Sequence, residues 1–161
     1  MMKAYLELAK PGEAHAKLAE MAGDWNYVML SYEDPEHPME ITGTATMNMV
    51  MDGRYLRQET EGMMMGSPFT GVGVTGYNNI TKEYESIWYD NMGTGIMKSV
   101  GHAEGDVVVM HSEYVDPMTH KSMDVKTVSK IVNKDEQTFT WYNVDGETEV
   151  KAFEITYTRK P

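Results

Sequence analysis

Five histidines are the first residues to weigh for chemistry: His15, His37, His102, His111 and His120. Two histidines one helical turn apart can share a zinc ion. No pair here has that spacing, and the chain has no cysteine to serve as thiolate ligand or nucleophile. His15 falls on a helical segment, and His37 and His120 fall in turns. If Glu104-Gly105 centres a hairpin, His102 and His111 share a face, with His111 opposite Lys98. A metal set would still need ligands from distant strands. A single histidine can ligate haem axially, but no local motif singles one out. Neither a Gly-x-Ser-x-Gly elbow nor a phosphate-binding loop occurs. Asp52, Asp90 and Asp116 stand beside turns, where aspartate commonly bonds backbone amides. Carboxylates paired for acid–base work would have to face one another across an interior. The pattern therefore assigns no catalytic residue and no metal ligand.

Charge and composition narrow the partners. The net charge is −11 over 161 residues, so the surface repels phosphate backbones and nucleic acid is not an expected partner. No run of about 18 apolar residues is present to span a membrane as a helix. The first residues lack the apolar centre of a secretory signal, and with no cysteine a cytoplasmic location is expected. Methionine stands out at 16 residues. It fills irregular core space and equally suits an adaptable binding wall.

The elements that must carry these residues are mostly strands. Residues 11–22 read as the one helix, with Pro11 in the first turn, Glu13 at the positive end and Gly23 at the stop. Its short stripe of Ala14, Leu18, Met21 and Ala22 suits capping the end of a barrel. From Asp24 to Arg159, turns recur roughly every dozen residues with no helix-length segment between them. About ten antiparallel strands result, and a meander of that size tends to curl and close. Asp52-Gly53 is the strongest hairpin signal. It pairs Met51 with Arg54, Met49 with Leu56 and Met47 with Gln58 on a dry face. Thr44, Thr46 and Asn48 lie beside Arg57, Glu59 and Glu61 on a wet face. Gly71, Gly73 and Gly76 mark curvature, lumen space or a close approach. The last hairpin, around Asp145-Gly146, alternates out of phase and predicts a bulge near Val150–Phe153. The expectation is one all-β domain over residues 1–161, with the helix at 11–22 and the barrel at 24–159.

Several segments resemble the DUF1579 family of uncharacterised bacterial proteins. They are Leu18-Ala19-Glu20-Met21-Ala22-Gly23-Asp24-Trp25, Met51-Asp52-Gly53-Arg54-Tyr55-Leu56, Gly76-Tyr77-Asn78-Asn79 and Trp88-Tyr89-Asp90-Asn91-Met92-Gly93-Thr94-Gly95. Tyr114-Val115-Asp116-Pro117-Met118-Thr119 and Glu154-Ile155-Thr156-Tyr157-Thr158-Arg159 complete the set. The resemblance runs from about Leu18 to Lys160 and implies a lipocalin-like, or calycin-like, barrel without a settled activity. Gly23-Asp24-Trp25 is also similar to the Gly-x-Trp signature of lipocalins. That likeness implies a structural closure in which Arg159 lies across Trp25, a cation–π contact of about 0.5–2 kcal/mol.

The site expected on such a barrel is its lumen, with apolar walls and a few polar groups. Wall candidates are Met47, Met49, Leu56, Met63, Trp88, Met97 and Trp141, and polar candidates are Arg54, Gln58, Tyr89 and Asn91. The expected ligand is a small apolar or amphipathic molecule; no cofactor is specified. A lumen packed solid with these side chains is the competing arrangement. An enzyme working in the lumen, or an interaction module displaying the Met63-Met64-Met65 segment, is the alternative function. A homodimer is the default among homo-oligomers.

Overall fold

The computed structural model describes residues 1–161. Two short helices, α1 (Met2–Leu8) and α2 (Glu13–Ala19), precede ten strands. These are β1 (Gly23–Ser31), β2 (Met39–Val50), β3 (Tyr55–Met64), β4 (Ser67–Asn78) and β5 (Glu83–Asp90). β6 (Met97–Glu104), β7 (Val107–Val115), β8 (Ser122–Asn133), β9 (Glu136–Asp145) and β10 (Thr148–Arg159) complete the chain. Every strand pairs antiparallel with its sequence neighbour, and β1 pairs with β10 to close the barrel. No helix is long and apolar enough to cross a membrane.

The alternation of side chains sets the two faces. Met49 stands opposite Leu56 and Met47 opposite Gln58 on the inner face, with Thr46 opposite Glu59 outside. The turn itself differs from the two-residue form expected. Residues 51–54 all lie in the connection, Met51, Asp52 and Gly53 have φ of 52°, 54° and 80°, and Met51 and Arg54 form no rung. The register beyond the turn is unchanged, because the expected centre lies at the middle of the longer loop. The turn after β6 centres on Gly105-Asp106, so Glu104 pairs with Val107 and His111 stands opposite Val100 rather than Lys98. The bulge expected in the last hairpin falls between Lys151 and Phe153. It brings Phe153, Ile155 and Tyr157 into line with Trp141, Phe139 and Gln137 across the β9–β10 pair.

Helix α2 covers one end of the barrel against β2, β3 and β4. Its predicted span of 11–22 contracts to seven residues, followed by turns through Ala22. Buried Leu18 belongs to one apolar cluster with Trp25, Tyr27, Met47, Leu56, Tyr84, Met110 and Tyr157, gathered towards the covered end. Helix α1 is not expected from the sequence; it is short and buries none of its residues, although Met1, Ala4, Tyr5 and Leu8 stand at helical spacing. The linker between the helices is gripped from the barrel. Asn79 Nδ2 donates to the carbonyls of Leu8 and Lys10, both at 2.8 Å, and Arg54 Nε donates to Ala9 at 3.1 Å.

The chain ends meet at the same covered end. The Arg159 guanidinium lies 4.2 Å from the Trp25 ring centre. It also donates to Ala22 O at 2.7 Å and Lys134 O at 2.8 Å, while Trp25 Nε1 donates to Met21 O at 3.0 Å. Glycine at 23 suits the backbone, and a side chain there would displace the guanidinium. The φ of Gly23 is +135°, and a Cβ would come within 2.2 Å of an Arg159 guanidinium nitrogen.

Candidate functional site

The barrel encloses a cavity of about 1170 Å³ that runs from Leu18 under α2 to the opposite end. Its floor is the top of the core: Leu18, Met47, Leu56, Tyr84, Met110 and Tyr157 belong to both. Its wall continues through Met29, Phe69, Trp88, Phe139, Trp141, Phe153 and Ile155. Its mouth lies at the end away from α2, among exposed Met39, Met65, Met92, Ile96, Val115 and Pro117.

Of the candidates named from sequence, Met47, Leu56, Gln58, Trp88, Tyr89, Met97 and Trp141 line this cavity. Four do not. Met49 is packed against the core at the covered end. Met63 is exposed on the outer face, because the alternation that turns Leu56 and Gln58 inward turns Met64 inward as well. Arg54 lies in the turn at the covered end and binds the Ala9 and Met51 carbonyls. Asn91 fastens the rim: its side chain accepts from Thr70 N at 3.0 Å and donates to Pro68 O at 2.9 Å. An unpaired polar residue beside a turn reads equally as contact or brace, and only the register separates the two.

The indole of Trp88 owes its place to glycines. A Cβ on Gly71 would reach within 2.3 Å of the ring, and one on Gly73 within 3.1 Å. These two glycines thus serve a close approach rather than strand curvature, and Gly76 does the same for Tyr55 on the outer face. Trp88 Nε1 donates to Asp90 Oδ2 at 2.8 Å, which leaves the ring face to the lumen. Across the barrel Trp141 stacks on Phe153 at 5.3 Å and meets Tyr114 edge-on at 6.0 Å.

Polar groups are few and mostly unionised. Gln58 Nε2 donates to Thr60 Oγ1 at 2.9 Å and to Tyr157 Oη at 3.2 Å. Thr75, Ser86 and Ser99 stand on adjacent strands and form a hydroxyl row on the wall. Gln137 is buried, with Nε2 donating to Met47 Sδ at 3.3 Å and Oε1 without a partner. Burial pushes the Tyr157 phenol up to about 12, and burial also raises Tyr27, Tyr84 and Tyr114. These phenols stay neutral at physiological pH and offer donors, not bases.

No histidine lines the cavity. His15 is buried in α2, where Nδ1 accepts the Gly12 N–H at 2.9 Å and the ring meets Tyr77 edge-on. His102 and His111 are exposed on the outside of the barrel, and His37 and His120 are exposed in loops. The wall residues missed at the sequence level include Thr127, Gln137, Phe139, Phe153 and Tyr157. The seam register would have found the last two, once the bulge is placed, by carrying the inward face from Trp25 and Tyr27 to Arg159 and Tyr157.

The family model described as "Protein of unknown function (DUF1579)" matches residues 10–159. Among solved structures, the chain is similar to Rv2717c from M. tuberculosis, at 17% identity and a TM-score of 0.61. That match covers 94% of this chain and all of the other. A redesigned β-barrel is similar at 13% identity and a TM-score of 0.49, with 89% of this chain and 95% of that one covered. No curated protein matches the chain.

Proposed function

The chain belongs to the DUF1579 family, and from that premise we propose that it is a lipocalin-like binding protein for a small apolar or amphipathic molecule. The observation that carries this reading is the cavity of about 1170 Å³, floored by a packed core and open at one end. Its size meets the needs of a ligand of several hundred daltons, since such pockets run from roughly 300 to 1,000 Å³. Its wall is mainly Met, Leu, Ile, Phe, Trp and Tyr, with one row of hydroxyls and a few amides. Unbranched methionines let one wall fit ligands of different outline. A cytoplasmic location and a monomer or homodimer go with this reading.

Titration with Nile red, a neutral dye that brightens in apolar surroundings, tests it. Saturable one-to-one binding is expected, lost in Ser129→Trp, which places an indole in the lumen. Equal dye binding by this variant, with its barrel intact by circular dichroism, would refute a lumen site. Native mass spectrometry of protein from its own host then weighs any retained molecule.

A further inference from the structure

The ionised residues at the cavity and its mouth are Glu33, Asp90 and Glu113, and every one is acidic; Glu113 borders the mouth from the outer face of β7, in step with His111. No lysine, arginine or histidine lines the cavity at any depth. All three carboxylates belong to the open end. Glu33 follows β1, Asp90 ends β5 and Glu113 lies near the end of β7. None takes part in an ion pair. Asp90 accepts from Trp88 Nε1 and from Met92 N, and Glu113 accepts from the Ser122 hydroxyl. Glu33 makes no side-chain bond at all within the fold. Of the basic side chains towards this end, Lys151 pairs with Glu154 and Lys126 with Glu149, while Lys98 on β6 and Lys121 before β8 are exposed and unpaired, so the carboxylates outnumber the free cations there. Trp88, Tyr114 and Trp141 stand near the carboxylates and offer aromatic surface.

We infer that the lumen is built for a cationic amphiphile, an aliphatic amine or quaternary ammonium, with the apolar chain inside and the cation at the mouth. The inference rests on the lumen-binding reading above and specifies its ligand. A fatty acid seated head-first would bury its carboxylate with no cationic partner, and head-out it would meet three like charges. An ammonium at the mouth meets the reverse field and can sit over an indole or phenol face. Neutral chains fall between. The surplus negative charge of the whole chain acts in the same direction at long range.

Three ligands with the same dodecyl chain test this below their micelle concentrations: the trimethylammonium, the alcohol and the carboxylate. Each displaces Nile red, with tryptophan emission as a second readout. The expected order is ammonium, then alcohol, then carboxylate. The ends should differ by about tenfold or more at low salt and converge as salt screens them. The double variant Glu33→Gln/Glu113→Gln leaves the Trp88–Asp90 bond in place and should close most of that gap. Carboxylate binding as tight as the ammonium, while the alcohol binds, overturns the charge inference alone. A double variant that keeps the full gap overturns it too. If none of the three displaces the dye, and no dye binds, the lumen reading fails and this inference falls with it.

Discussion

Replacing Arg159 by alanine tests the closure of the barrel most directly. The side chain meets four groups on two segments: the ring of Trp25 and the Ala22 carbonyl on one, and the Lys134 carbonyl and, at 3.8 Å, the Asp135 carboxylate on the other. The stacked cation contributes about 1 kcal/mol at this partly screened position. Two hydrogen bonds from a charged donor contribute about 1.5 kcal/mol each at the lower end of their range. The surface carboxylate adds little. Some of the freed carbonyls regain water, so the expected loss is about 3 kcal/mol. For a domain of this size that lowers Tm by about 6–12 °C. Urea unfolding followed by tryptophan emission should show the midpoint falling with an unchanged slope. Arg159→Lys keeps the charge but not the planar fork and should lose about half as much. A double-mutant cycle with Trp25→Leu should give a coupling near 1 kcal/mol. A loss under about 1 kcal/mol for Arg159→Ala would refute the closure argument, since that is what an ordinary surface residue costs.

Further outcomes follow from the same packing. Gly101→Ala should be the most damaging glycine change, at about 3 kcal/mol or more, because its Cβ would stand 1.9 Å from the Val109 carbonyl, which cannot swing away. Gly71→Ala should cost less and shift the Trp88 emission, since the obstacle is a ring that can tilt; both are read from chemical unfolding. The protein should lose stability from about pH 10 upward. Tyr157 has a folded value near 12 against 10.0 unfolded, so the unfolded chain loses its proton first and stability declines between those values. The decline amounts to about 3 kcal/mol by pH 12, and Tyr157→Phe should remove most of it. In acid the 116–121 loop should loosen. Backbone amides of Thr119 and Met118 hold the Asp116 carboxyl below its ordinary range, so their stabilisation is lost as pH falls through that lowered value. Amide chemical shifts of Met118 and Thr119 report it.

Much of the architecture is legible in the sequence because strands and turns are local. Asp52-Gly53 puts Met49 opposite Leu56 correctly even though the actual connection has four residues. The out-of-phase Val150–Phe153 segment announces its own bulge. The site is less legible. Met63 is misplaced by one position of alternation, the smallest error a strand allows and one that reverses the face. Arg54 and Asn91 read as ligand contacts, yet they hold the helix linker and the rim, and those partners lie 45 and 23 residues away in sequence. Helix α1 is missed because seven residues with no buried face are marginal as a helix. The glycines of β4 are explained only once Trp88 has a position.

The seven-residue seam between β1 and β10 has a kinetic consequence. Its partners lie at opposite extremes of the polymer, so this ladder forms only after the largest loop in the molecule has closed. Until then β1 and β10 each present a bare row of amides and carbonyls able to recruit a second molecule. Refolding yield should therefore fall with protein concentration, and a soluble β10 peptide added during refolding should compete for β1 and slow recovery of the native signal.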